Sequence, residues 1–256
     1  MRLLFILCLL PTCFSSLAQL SARQLKLGNA TLTWVQYCRT PQPGIYWINV
    51  HENETTSVQA ARAVMDSIGS GCMVAWKHSG DRYFTFQQAG KTFKFDPNRI
   101  FTPAGLKKTL QANGAYTTAG YNTAQKAASQ FIKQYVAGNK LLIALHNNTD
   151  GGGLHIKSYL PGGEYAQDAE LVHVNEQEDV DDFFYTTDRR IYDYLSNRGF
   201  NILLQNNATV TDDGSMSVYC GQQGMAYLNI EAQHGHLNEQ KRMIAAVFDM
   251  IRDLGF

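Results

Sequence analysis

Three short apolar runs in this chain end in side chains that can bind a metal ion or move a proton. Ile45 to Val50 stops at His51-Glu52-Asn53-Glu54, Leu141 to Leu145 stops at His146, and Met225 to Ile230 stops at Glu231. Two imidazoles and one carboxylate form a recurring catalytic zinc set that leaves a fourth position open for water, and a further carboxylate beside it can serve as general base. His51 and Glu54 are three residues apart, so a single turn can aim both at one ion. His146 completes that set, and Glu231 is left as the base. Glu52 points away, because neighbours in an extended tip face opposite sides. Each residue alone has a plainer reading: a solvated turn for His51 and Glu54, a hydrogen-bonded strand-end histidine, a solvated strand-end glutamate. Four such residues at the ends of three apolar runs shift the weight towards a site.

The elements that must position them can be read from periodicity. Thr31 to Tyr37 mixes β-branched and aromatic residues and reads as a strand, and Pro41-Gln42-Pro43-Gly44 turns the chain into the strand Ile45 to Val50. After the His-Glu-Asn-Glu tip, Thr55 or Thr56 is placed to cap a helix carrying Val58, Ala61, Val64, Met65 and Ile68 on one face, stopped by Gly69. Cys72 to Trp76 is a further strand. Tyr83 to Phe86 and Thr92 to Phe95 form a hairpin turning near Ala89-Gly90. Helices are expected from Pro103 and over Thr123 to Val136, the second ended by Gly138-Asn139. Leu141 to Leu145 is apolar at every position, as a strand covered on both faces should be. The segment Tyr159 to Asp182 is polar and acidic, with a brief strand signal at Leu171-Val172, and reads as extended surface loop. A helix over Thr187 to Leu195, strands over Asn201 to Leu204 and Met225 to Ile230, and a helix over Asn238 to Leu254 complete the chain. Strands alternating with helices give an α/β fold, with ligand groups at the carboxyl ends of the strands.

The first 18 residues stand apart from this domain. Arg2 precedes the apolar block Leu3 to Leu10, and Ser16-Leu17-Ala18 offers a small-x-small cleavage site, so residues 1–18 read as a secretory signal peptide and 19–256 as one catalytic domain, secreted or periplasmic. A lipoprotein anchor on Cys13 is disfavoured by Thr12 before it. No other apolar run approaches the roughly 18 residues a membrane span needs. The chain balances 22 basic against 22 acidic residues, which gives no pull towards nucleic acid. Cys38, Cys72 and Cys220 follow the cleavage site without a Cys-x-x-Cys pair, so one disulfide is permitted and its pairing is left open.

The order of these motifs resembles that of the zinc carboxypeptidases and their succinylglutamate desuccinylase-like relatives among the acylases. Residues 95–101, Phe-Asp-Pro-Asn-Arg-Ile-Phe, are the most specific part of the resemblance. It implies a three-layer αβα sandwich around a mixed, mostly parallel central sheet, and a Zn2+ ion held by His51, Glu54 and His146. It further implies Glu231 as catalytic base and Asn98 and Arg99 as the grip on a substrate carboxylate, while the signal peptide suggests a peptide or peptidoglycan fragment as substrate. Arginine suits the last role because its planar guanidinium donates two parallel hydrogen bonds to a carboxylate; its plainer role is an ion pair with Asp96. The family's mobile tyrosine has no matching context here, with Tyr219 and Tyr227 the residues before Glu231. For a second substrate-binding arginine, Arg189 and Arg190 are candidates by composition only. His234 and His236 read as pocket-rim residues, while His78, His155 and His173 lack partners at ligand spacing. The triple glycine Gly151-Gly152-Gly153 is not followed by the Lys-Ser or Lys-Thr of a phosphate loop. Two competing functions remain: a zinc N-acetylmuramoyl-L-alanine amidase, and an exported binding protein of the same fold without turnover.

Overall fold

The structure, a computed structural model, describes residues 18–256; the expected signal peptide, apart from Ala18, lies outside the described residues. In chain order the strands are β1 (Gln19–Leu27), β2 (Ala30–Cys38), β3 (Ile45–Asn49), β4 (Cys72–Lys77), β5 (Phe84–Gln88), β6 (Lys91–Phe95), β7 (Leu141–Asn148), β8 (Ala169–His173), β9 (Phe183–Thr186), β10 (Ile202–Gln205) and β11 (Ala226–Gln233). The helices are α1 (Thr55–Ile68), α2 (Pro103–Asn113), α3 (Thr118–Phe131), α4 (Arg189–Ser196), α5 (Met216–Gln222) and α6 (Leu237–Leu254).

Nine strands form one sheet in the order β1-β2-β4-β3-β7-β11-β9-β10-β8, and β5 with β6 makes a separate hairpin. The central run β4-β3-β7-β11 is parallel. Antiparallel pairings fall on the flanks, at β1 with β2, β2 with β4, β11 with β9, and β10 with β8. Side chains alternate across the sheet as a strand period of two requires. Leu141, Ile143 and Leu145 pack with α1, α4 and α6 on one face, while Leu142 and Ala144 pack with α2, α3, α5 and the hairpin on the other. This is the expected αβα sandwich, and both faces of the central strands are covered.

Local signals explain most boundaries. Ala89 and Gly90 both have positive φ, 48° and 72°, the turn that fits the twist of a two-residue hairpin. Gly69 ends α1 in the left-handed conformation. Thr102 and Thr117 cap α2 and α3 by accepting from the N–H groups of Gly105 and Gly120, so α3 begins five residues before the expected Thr123, and its last turn, Ile132–Val136, widens to a π-helix. The cap of α1 differs from expectation. Its N-cap is Glu54, not a threonine, and the carboxylate makes no capping bond; Asn147 Oδ1, at the end of β7, accepts from the N–H of Ser57 instead. Glu54 cannot cap because two imidazoles already hold its oxygens.

Within the expected surface loop the chain forms two short 3-10 turns, Ile156–Tyr159 and Ala166–Asp168, and the edge strand β8. The strands β1 and β9 and the helix α5 escaped the periodicity reading. Exposed β1 lacks an apolar face, and β9 is four residues long. Cys38 and Cys72 are disulfide-bonded, tying the end of β2 to the start of β4, and Cys220 is free and buried.

Candidate metal centre

The parallel register brings the three strand ends to one edge. On β11 and β7, Glu231 stands directly beside His146, and β3 lies on the other side of β7. His146 and Glu231 share parity with Leu142 and Tyr227, so both face the α2–α3 side of the sheet. The turn after β3 is closed by a bond from the Glu54 N–H to the His51 carbonyl, 3.1 Å. That closure lets Glu54 reach back over the strand end. Its Oε1 lies 2.7 Å from His51 Nδ1 and its Oε2 2.8 Å from His146 Nδ1. All three residues are buried, and their donor atoms lie within 4.8 Å of one another.

Behind this triad sits a set of partners that the sequence reading did not assign. His51 Nε2 is 2.7 Å from Asp96 Oδ1, which makes Asp96, two residues before Asn98, a carboxylate that orients the imidazole. Arg82 spans the two acids, with Nη1 2.9 Å from Glu54 Oε1 and Nη2 3.2 Å from Asp96 Oδ2. Glu52 points away from the triad, as expected, and accepts from the backbone N–H groups of His78, Ser79 and Gly80. It thereby fixes the loop that carries Arg82. Nothing in the spacing of Arg82 announced its position, because a β4–β5 loop anchored by Glu52 delivers it from outside every motif.

These contacts set the charges. Burial would lower the pKa of His51, but Glu54 and Asp96 outweigh it and lift it to about 9. Burial would raise Glu54 and Asp96, yet His51 and His146 hold Glu54 far below the usual carboxylate range, and His51 with Arg82 does the same for Asp96. Two imidazole nitrogens and two carboxylate oxygens thus converge in a buried spot already arranged around positive charge. The donor set fits a metal ion: His51 and His146 would offer Nδ1, Glu54 its carboxylate, and Asp96 would keep the Nε2 proton of His51 in place. His146 has no matching support, since its Nε2 is buried without a partner.

Glu231 is buried beside this group. Its pKa is raised, first by burial and further by Glu54, against the opposing pull of His146, Asn229 and Arg82. Asn229 donates to Oε1 at 2.9 Å. Two adjoining cavities meet here. One, of about 330 Å3, contains the triad, Arg82, Glu231 and the loop from Asn147 to Leu154. The other, of about 480 Å3, extends past Tyr159, Tyr185 and Tyr227 towards Asp168 and Asp213. Asn98, Arg99, Leu154 and Glu231 line both.

Arg99 does not pair with Asp96. Its Nε lies 3.4 Å from Asp213 Oδ2, and Asp96 is taken by His51 and Arg82. Asn98 Oδ1 accepts from the N–H of Met216, which leaves its amide nitrogen as the donor for a ligand. The turn bearing both is seated by a close glycine contact: a Cβ on Gly214, at φ 82°, would lie 2.5 Å from the Arg99 carbonyl oxygen.

Other candidates fall elsewhere. His234 braces the outside of the turn after β3, 3.1 Å from Thr56 Oγ1 and 3.2 Å from the Asn53 carbonyl, and neither it nor His236 lines the two cavities. Arg189 and Arg190 are exposed on α4 and pair with Asp193 and Asp188. Tyr219 packs against Phe101. Tyr227, by contrast, lines the larger cavity, and so does Tyr159, a residue the sequence reading passed over.

No family model matches the sequence, and no curated protein matches it. Solved structures of similar shape include an aspartoacylase family protein from Mesorhizobium loti, at 11% identity over 96% of this chain and 70% of that one, TM-score 0.41. A metallo-carboxypeptidase from Burkholderia cenocepacia aligns at 12% identity over 92% of this chain and 65% of that one, TM-score 0.44. A succinylglutamate desuccinylase/aspartoacylase from Rhodobacter sphaeroides aligns at 10% identity over 93% and 65%, TM-score 0.42. These carry the names that the motif resemblance suggested.

Proposed function

We propose that this chain is an exported zinc-dependent hydrolase that cleaves an amide bond close to a free carboxylate, with peptides or cell-wall peptides as substrates. The observation that carries the reading is the buried convergence of His51, Glu54 and His146 within 4.8 Å, with Glu231 on the neighbouring strand position. Zinc bound there would supply Lewis acidity towards a carbonyl and lower the pKa of a water molecule. Glu231 is the group that moves the proton: Asn229 engages Oε1, so Oε2 takes the proton and passes it to the leaving nitrogen. Its raised pKa brings it nearer the range in which a carboxylate can do both. Asn98 and Arg99, at the junction of the two cavities, hold the substrate carboxylate. The larger cavity then receives the neighbouring side chain, and its mixture of tyrosine with Asp168 and Asp213 favours polar or cationic groups over bulky aliphatic ones. The apolar leader supports export, and the Cys38–Cys72 disulfide is at home in an oxidising compartment.

The test is bound metal and amide hydrolysis for the wild type and Glu231→Gln, with free peptides and intact muropeptides as substrates. Wild type should carry one zinc per chain and turn over free peptides. The glutamine variant should keep its metal and lose activity by roughly 10²–10⁴-fold. Cleavage confined to the sugar-to-peptide amide of muropeptides would move the assignment to an N-acetylmuramoyl-L-alanine amidase. A protein that binds no metal and hydrolyses neither would end the proposal.

A further inference from the structure

Arg99 enters the larger cavity already matched by a carboxylate. Its Nε faces Asp213 Oδ2 at 3.4 Å, and its Nη1 donates to the Asn98 carbonyl at 2.9 Å. A guanidinium carries its N–H donors in a rigid planar fork, so these two contacts hold the plane and leave Nη2 to meet a ligand. Asp213 is itself fixed, because its Oδ1 accepts from the N–H of Ser215, the N-cap of α5, at 2.9 Å. The side chains of Arg99 and Asp213 are 35% and 37% exposed, so the pair adds little to stability. Its weight falls on the charge that the cavity accepts.

The cations lining this cavity are Arg99 and Lys108, and the carboxylates are Glu164, Asp168, Asp213 and Glu231. Lys108 and Glu164 are exposed, so further in Arg99 stands among Asp168, Asp213 and Glu231. Those three act on one common group: the phenol of Tyr159, which also lines the cavity, is pushed up first by burial, then by Glu231, Tyr165, Asp168 and Asp213. Arg82, the other arginine beside the triad, is taken by Glu54 and Asp96. A substrate carboxylate seated on Arg99 thus leaves no inner cation for a second one, which would face Asp168 and Asp213. An unpaired charge placed against like charges is repelled.

We propose that Asp213 is the specificity-determining residue of this site: it presents Arg99 to one carboxylate and turns away a substrate that carries a second. The substrate is then an amide whose carboxylate-bearing half has a neutral or cationic side chain, and N-acylated aspartate and glutamate are rejected. This assignment of substrate class rests on the hydrolase reading above. Selectivity of this kind comes from repulsion of the wrong ligand as much as from contact with the right one.

The experiment compares two ligands of nearly one shape that differ in charge, L-glutamine and L-glutamate, by calorimetric titration of the full chain with zinc supplied. In parallel, hydrolysis is measured on N-acetylated dipeptides ending in either residue. Glutamine should bind about tenfold or more tightly than glutamate, and kcat/KM should favour the glutamine peptide by about the same factor, with the difference in KM rather than kcat. Asp213→Asn keeps an oxygen for the Ser215 N–H and loses the charge; it should narrow both ratios by about threefold or more. The free amino acids separate the two claims. Charge-selective binding by a wild type that cleaves neither peptide would remove the hydrolase reading and still support the selection by Asp213. Glutamate bound as tightly as glutamine would overturn the proposal, as would ratios that Asp213→Asn leaves unchanged, or no binding of either ligand up to about 50 mM.

Discussion

Replacing Asp96 by asparagine separates a support of the proposed metal centre from a chance neighbour. Asp96 Oδ1 faces His51 Nε2 at 2.7 Å and accepts from the Asn98 N–H at 2.8 Å, while Oδ2 faces Arg82 Nη2 at 3.2 Å. Asparagine keeps an oxygen for the first two bonds, so the turn that presents Asn98 and Arg99 should persist. What it removes is the charge that holds the Nε2 proton of His51, and it sets an amide NH2 against the Arg82 guanidinium. Loss of such a partner typically lowers metal affinity by about 10–100-fold, or about 1.4–2.7 kcal/mol. The metal-free protein also loses a charge-assisted bond to a buried imidazolium, about 1–3 kcal/mol. Competition for zinc against a chelator of known affinity reads the first quantity, and urea denaturation of the metal-free protein reads the second. A folded Asp96→Asn protein whose zinc affinity stays within twofold of wild type would refute the view that Asp96 acts on the metal through His51.

Two further predictions concern the frame. Gly214→Ala puts a side chain at φ 82° and within 2.5 Å of the Arg99 carbonyl; it should destabilise the protein by about 2 kcal/mol or more and raise KM for carboxylate-bearing substrates more than it lowers kcat, both measurable on one preparation. Replacing Cys38 and Cys72 by serine opens a loop closed across a separation of 34 residues, a loss of about 4 kcal/mol in the chain-entropy estimate. Equal denaturation midpoints for the disulfide and serine forms would contradict that.

How much of this was readable beforehand depends on whether the information was local. Ile45 to Val50 and Leu141 to Leu145 declare themselves as strands because burial on both faces forces apolar residues at nearly every position. The hairpin turn at Ala89-Gly90 is dictated by backbone conformations that few residues tolerate. By the same logic β9 was missed: its four residues are held by pairing with β11 and β10, and no four-residue pattern carries that. The α1 cap was misread because the side chain that caps it, Asn147, comes from a distant strand.

The sequence by itself determined which residues could take part: two histidines and two glutamates at the ends of three apolar runs, and an asparagine–arginine pair after a hairpin. Their types fix the available chemistry, since imidazole and carboxylate are what a metal or a proton needs. The tertiary structure alone decided how they are coupled. It is the parallel register that sets Glu231 beside His146, the Glu52-anchored loop that brings Arg82 onto Glu54 and Asp96, and the packing of the Asp213–Gly214 loop that turns Arg99 away from Asp96 towards the cavities. Each of these joins residues far apart in the chain, and strand register and close packing, unlike side-chain chemistry, exist only once the whole sheet has formed.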